Sequence, residues 1–387
     1  MSWSGGVAWF AGLALVLTVS AALAAPAGAN PGSAVAASDP TGPCLAAKPP
    51  PLSAPGHPLR FGVSPEPAGT VGANQGKVVP EDARKSDAAL RRLLPESRTL
   101  VVRLSRLFMA DGGRGIRRLA RRARHFAAEG FLVESQVRYH PPPEAEGDMA
   151  AWTRFVRRAA RRLGRNPALT ALTVTNEVNL PISPNTSDGA FARALRAIVR
   201  GISAAHRALA RIGRRDVSLG FSYAYRWLPD ADVAFWDDLG AQGTKRFRRA
   251  LDYVGVQLYP GLFWPPVLLT ETAGEATLEA LTLVRDCYMP RAGLGARKEL
   301  WITENGYATN LSHTEARQAA ELEDTVTLVR RYSGTLGVSD YRYFNLRDNR
   351  PAGTDLFDNV GLLRANYSRK PAFSVYRRLI RRFGRGR

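Results

Sequence analysis

The sequence predicts a (β/α)8 TIM barrel built as a single α/β domain. Three observations carry that expectation. Short apolar, β-branched runs recur along the chain, and the intervals between them show helical periodicity. Eight such runs fall between Leu59 and Phe344, the number that closes a barrel of parallel strands. No glycine-rich phosphate turn follows the first run, which argues against an open doubly wound sheet. A chain of 387 residues with 45% hydrophobic content is long enough for one core of that size.

The elements follow in order. Val7 to Ala25 is almost wholly apolar, and Ala22-Leu-Ala24 and Ala27-Gly-Ala29 suit cleavage, so residues 1–29 read as an export signal. The run is also close to spanning length, which leaves an uncleaved anchor as the alternative. Residues 30–58 are rich in Pro, Ala, Ser and Gly, a composition suited to an exposed linker or a wrapping N-terminal arm. The barrel is expected over residues 59–380. Its predicted strands are Leu59–Val63, Thr99–Leu104, Phe131–Val137, Leu172–Thr175, Val217–Phe221, Tyr253–Leu258, Glu299–Thr303 and Tyr341–Phe344. Between them, Gly115–Glu129 sets Ile116, Leu119, Ala123 and Phe126 on one helix face and arginines on the other, with Gly130 as the stop. A second helix is expected from Asp188 to Ile212, with Phe191, Leu195 and Ile198 inward. Residues 381–387 form a basic tail expected to fray.

The formal net charge is +20, and of 54 basic residues only six are Lys. Arginine on helix faces, as in Arg117-Arg118-Leu-Ala-Arg121-Arg122, reads first as solvated surface. It leaves attraction to an acidic polysaccharide or cell-envelope polymer open. No recognition motif accompanies the charge, so no nucleic-acid partner is expected. Cys44 and Cys287 are the two cysteines; in an exported chain they could pair, tying the N-terminal segment to the barrel's outer layer. Five scattered histidines and two distant cysteines lack metal-ligand spacing, so no metal or other cofactor is expected. Beyond the export signal no segment is apolar enough to span a bilayer, and a monomer is expected.

Chemistry enters with two motifs, Leu172-Thr-Val-Thr-Asn-Glu177 and Leu300-Trp-Ile-Thr-Glu304-Asn-Gly306. Each apolar run ends on a glutamate, as a buried parallel strand delivering a carboxylate to its C-terminal rim does. By the strand count, Glu177 follows strand 4 and Glu304 follows strand 7. Two rim carboxylates are the minimum needed to cut a glycosidic bond. Over most of residues 59–380 the chain resembles the clan of retaining glycoside hydrolases built on (β/α)8 barrels, the cellulase-like and β-xylosidase-like superfamily. That clan carries its acid/base, directly preceded by Asn, after strand 4 and its nucleophile after strand 7. The resemblance implies Glu177 as general acid/base and Glu304 as nucleophile in a double displacement through a covalent glycosyl-enzyme. A salt bridge to one of the many arginines is the competing account of each glutamate.

The same resemblance implies further roles. Asn176 would meet the sugar's 2-hydroxyl, and Tyr259, ending strand 6, would hydrogen-bond the nucleophile. Gln257 stands where the clan frequently has His. Arg103 matches a strand 2 arginine placed beside the nucleophile, with Arg106 as the competing choice. Sugar rings stack on aromatic faces, which points to Tyr225 and Trp227 after strand 5 and to Phe263 and Trp264 after strand 6. Tyr343 lies on strand 8, where many relatives offer Trp. His140 is a further cleft candidate, and Asp348, Asp355 and Asp358 read as turn formers. The expectation is a secreted or cell-envelope β-glycosidase with a poly- or oligosaccharide substrate. A non-catalytic carbohydrate-binding barrel and a transglycosylase are the competing readings.

Overall fold

The computed structural model describes residues 44, 48–66, 78–182, 184, 186–226, 228–351 and 355–386. Eight strands form: β1 (Arg60–Val63), β2 (Val101–Phe108), β3 (Leu132–Arg138), β4 (Leu169–Val174), β5 (Ser218–Ala224), β6 (Tyr253–Leu258), β7 (Glu299–Asn305) and β8 (Val338–Tyr343). They close in sequence order, with β8 paired back onto β1 from Arg60–Asp340 to Val63–Tyr343. All pairings are parallel, so the eight C-terminal ends share one rim. The (β/α)8 barrel expected from the sequence is the observed fold, and the described residues belong to one unit, Ser38–Arg387.

Side-chain alternation explains the outer layer. Phe61, Val102, Leu172, Phe221 and Val254 belong to the main apolar cluster, which the surrounding helices complete. The helix Gly112–Ala128 buries Ile116, Leu119, Ala123 and Phe126 against it. The second expected helix is shorter than its apolar pattern suggests: Asp188–Ala190 is a 3-10 turn, and the α-helix runs Ala194–Ala210. The cause is local. The Asp188 carboxylate accepts from the backbone N–H groups of Tyr139 and Asn176, which draws this segment over the rim before the helix starts.

The barrel interior is polar, where branched apolar residues ordinarily fill such a core. Arg103 of β2 reaches Glu304 of β7, Thr173 of β4 meets Tyr253 of β6, and Arg342 of β8 reaches Glu134 of β3. These strands are not neighbours, so the contacts cross the interior. Below them Tyr253 and Trp301 stack with ring centroids 3.6 Å apart, beside Ala171. Two glycines make room for the large groups. A Cβ at Gly62 would sit 2.5 Å from Arg342 Cδ, and one at Gly220 would sit 2.3 Å from the Tyr253 ring.

Cys44 and Cys287 form a disulfide, with Cα atoms 5.8 Å apart and 243 positions between them in sequence. Along the arm, the N–H groups of Ser53 and Ala54 donate to Thr335 Oγ1, and that of His57 to Ser333 Oγ, on the helix Glu315–Leu336. The C-terminal end is held rather than frayed. Its helix continues to Phe383, after which Gly384 bridges to Leu59 and Gly386 to Arg98. Among the described residues no helix is long and apolar enough to cross a membrane; the expected export signal lies outside them.

Candidate active site

Side chains carried by three strands, β2, β6 and β7, converge on Glu304. β7 carries it to the rim, where it is 9% exposed. Its Oε1 accepts from Arg103 Nη1 at 2.7 Å and its Oε2 from Tyr259 OH at 2.8 Å. Burial and the Glu304 charge push the Tyr259 phenol well above its ordinary range, so it stays a donor. Between the two candidate arginines the geometry chooses Arg103, which is fully buried against Glu304, while Arg106 is exposed. A hydrogen bond to a charged group contributes about 1.5–3 kcal/mol. Tyr259→Phe is therefore expected to lower kcat/KM by roughly 10- to 100-fold. Steady-state kinetics on the folded variant checks this, and a loss under about threefold would show that the phenol is not needed.

Glu177 is placed by a strained exit from β4. Thr175 and Glu177 both take positive φ, 74° and 47°, a region costly for a β-branched or charged residue by about 1–3 kcal/mol each. Surrounding hydrogen bonds hold the turn. Asp188 Oδ2 accepts from the Asn176 N–H at 2.9 Å, and the Asp188 N–H donates back to the Asn176 carbonyl at 2.8 Å. The Glu177 N–H donates to the Ser222 carbonyl on β5 at 3.1 Å. Burial, then the charge of Glu304, pushes the Glu177 carboxyl up to about 8, with Arg138 and Arg103 opposing. Asp188 is raised to about 6 by burial, against the pull of Arg138 and its backbone donors.

Asn176 is engaged at both ends of its amide. Its Nδ2 donates to the Thr186 carbonyl at 2.9 Å and approaches Glu177 Oε2 at 3.4 Å, while its Oδ1 accepts from Gln136 Nε2 and Gln257 Nε2. Gln257 thus braces Asn176, and its own Oε1 has no partner among the described residues. Trp264 is 37% exposed, on a loop that folds back so that its carbonyl accepts from the Tyr259 N–H at 2.8 Å. Phe263 of that loop lies 5.7 Å from the Tyr259 ring and stacks on Phe357 at 5.1 Å.

Other expected residues fall elsewhere. Tyr343 is 1% exposed, packs on Tyr376 at 5.6 Å and donates to the Val360 carbonyl; it belongs to the outer apolar layer instead of the mouth, because Arg342 takes the inward position of β8. Tyr225 is only 5% exposed, and burial and Asp232 push its phenol upward, so it offers little surface to a sugar. Trp227 lies outside the described residues. His140 sits between Phe108 and Phe191, at 5.1 and 4.8 Å, and burial followed by the Arg138 charge lowers its pKa. Asp348 and Asp358 are bound to Lys370 and Arg350.

Sequence reasoning missed Glu134, Gln136 and Arg138. They alternate along β3 as Glu134-Ser-Gln136-Val-Arg138, and that period of two was the available signal. Arg138 binds Asp188 and lies over the Phe108 ring at 5.2 Å. Among the described residues no group of three or more His, Cys, Asp or Glu is placed to hold a metal ion.

No protein-family model and no curated protein matches the chain. Solved structures do. The apo structure of a β-glucosidase designated 1317 aligns at 18% identity with a TM-score of 0.54, covering 77% of this chain and 87% of that one. A family 39 glycoside hydrolase from the gut symbiont Bacteroides cellulosilyticus WH2 aligns at 17% identity and TM-score 0.58 over 84% of this chain, which spans 63% of that protein's length. The family 1 β-glucosidase from Thermotoga maritima, in complex with isofagomine lactam, aligns at 14% identity and TM-score 0.56, over 88% of this chain and 100% of that one. At these identities the likeness is one of fold, and the chain shares its (β/α)8 barrel with these glycoside hydrolases.

Proposed function

We propose that this chain is an exported retaining β-glycoside hydrolase acting on a poly- or oligosaccharide. The observation that carries the proposal is a pair of unlike glutamates. Glu304 is gripped by Arg103 and Tyr259, while Glu177 has its carboxyl raised to about 8 partly by the Glu304 charge. That is an acceptor-only carboxylate facing a proton-carrying one, the division of labour that double displacement requires. The barrel shared with named β-glucosidases supports the same assignment.

In the first step a Glu304 oxygen attacks the anomeric carbon, and the Glu177 proton moves to the departing glycosidic oxygen. The glycosyl ester neutralises Glu304. This removes the second cause of the raised Glu177 pKa, so the Glu177 carboxylate can now take a proton from water. The resulting hydroxide attacks the anomeric carbon, releases the sugar with retained configuration and restores Glu304. Since the first step needs Glu177 protonated, kcat/KM is expected to fall on the alkaline side as pH rises through about 8. In Glu177→Gln that alkaline limb should vanish, and activity should survive best on substrates with acidic leaving groups. A limb that persists in the variant would assign it to another group.

Export is supported by the apolar Val7–Ala25 segment and by the Cys44–Cys287 bond, which an oxidising compartment maintains. The test of function is reducing-end release by the mature chain from neutral and acidic β-linked polysaccharides, with Glu304→Ala alongside. Release that disappears in the variant supports the proposal. Carbohydrate binding without release, equal in both proteins, would favour a non-catalytic binder. An acidic substrate, which the +20 charge favours, would show turnover falling with salt more steeply than on a neutral polymer.

A further inference from the structure

The polar interior of the barrel is a chain of alternating charges that starts at Glu304. Arg103 donates Nη1 to Glu304 at 2.7 Å and Nε to Glu134 Oε1 on β3 at 3.1 Å. The other Glu134 oxygen accepts from Arg342 Nε on β8 at 2.8 Å. Arg342 donates Nη2 to Asp340 Oδ1 at 2.6 Å, and Arg60 of β1 donates Nε to the same carboxylate at 2.7 Å. Glu304, Glu134 and Asp340 thus alternate with Arg103, Arg342 and Arg60, and the column closes without net charge. Arg103, Glu134 and Asp340 are fully buried and Arg342 is 1% exposed. Apolar side chains would fill this space without desolvating any charge, so stability alone is a weak reason for the column.

Its geometry supplies another reason. Arg103 Nη2 has no partner among the described residues, so Nε and Nη1 alone fix the guanidinium plane. Glu134 holds the Nε edge and thereby sets where Nη1 points. Glu134 is itself fixed, by Thr173 Oγ1 at 3.1 Å and by Arg342, whose stem occupies the space that Gly62 leaves open. We infer that Glu134, held by Arg342, is a positioning residue for the nucleophile, acting through Arg103 on the orientation and charge of Glu304. The inference rests on the assignment of Glu304 as nucleophile.

At the foot of the column Tyr376 of the C-terminal helix faces Arg342, and the Ser339 hydroxyl lies within hydrogen-bond distance of both Asp340 and Glu299 of β7. Arg103, Tyr259 and Glu177 face Glu304 from β2, the end of β6 and the end of β4. Tyr253 of β6 faces both Arg103 and Glu134; burial and the Glu134 charge keep its phenol protonated. Asp340 of β8 would be raised by burial, but Arg342 and Arg60 override that and hold it below the usual carboxylate range. Tyr253 and Asp340 therefore keep their charge states across a neutral assay range. Coulomb's law then gives opposite signs for two variants. Removing the Glu134 charge leaves Arg103 directed at Glu304 alone, which moves the acidic limb of kcat/KM to lower pH. Removing the Arg342 charge leaves Glu134 uncompensated and moves that limb to higher pH.

The experiment compares the full-length enzyme with Glu134→Gln, Arg342→Met and the charge-balanced double variant, recording kcat and KM against pH and the folded fraction by circular dichroism. The expected result is opposite limb shifts of about half a unit or more in the single variants. The double variant should show a limb near that of the wild type but a kcat roughly 10- to 100-fold lower, with KM little changed, because Arg103 has lost its guide. If the single variants do not fold, the double variant alone decides through its kcat. Unmoved limbs, or a folded double variant with wild-type kcat, would overturn the inference and leave the column a structural filling. An active wild type with unmoved limbs removes only this inference. A wild type inactive on every substrate removes the glycosidase proposal and this inference with it.

Discussion

Glu304→Ala is expected to lower kcat by roughly 10,000-fold or more while leaving the barrel folded. The variant has no atom to bond the anomeric carbon, and Glu177 alone cannot supply both the displacement and the proton. Folding should survive because Arg103 keeps Glu134 as a partner, and the carboxylate removed lies at the rim, 9% exposed. The variant also loses the Glu304 charge that helps raise Glu177, so its Glu177 carboxyl should titrate below about 8. Turnover measurements on material shown to be folded by circular dichroism decide the matter. Residual activity within about tenfold of wild type would mean that Glu304 is not the nucleophile.

Arg103→Met carries the second large effect, on stability as well as catalysis. Arg103 is the cation between Glu134 and Glu304, both within hydrogen-bond distance of it and both buried. Methionine would leave two carboxylates facing each other across an interior with little water. Breaking a buried pair by removing one partner typically destabilises by about 3–5 kcal/mol, because the remaining charge is stranded. The variant should also turn over slowly where it folds, since Glu304 loses the donor to Oε1. Urea unfolding at neutral pH measures the first effect. A loss below about 1 kcal/mol would indicate that solvent reaches the pair and that the interior is less dry than its burial implies.

The elements that define the barrel were legible because each strand has one face packed on helices. Phe61, Val102, Leu172 and Phe221 provide that apolar signal, and both glutamates are found at strand ends on the shared rim. The interior was much less legible. Glu134 and Arg342 are 208 positions apart and meet across the barrel, a relation that no local period encodes. Tyr343 shows the cost of one uncertain register: moving a strand residue by one position changes its face, and it is Arg342 that points inward. The start of the Ala194–Ala210 helix was misplaced for a different reason. Phe191, Leu195 and Ile198 follow helical spacing, yet Asp188 is committed to backbone donors at the end of β3 and after β4. Tertiary demand outweighs local pattern there.

The central claim is that Glu304 becomes covalently bound to sugar. The most direct measurement is mass spectrometry of the enzyme quenched in acid during steady-state turnover, followed by peptide mapping. The account predicts a peptide one glycosyl unit heavier with the addition on Glu304, present in the wild type and absent in Glu304→Ala. Active enzyme that yields products of inverted configuration, with the modified peptide never found, would contradict it.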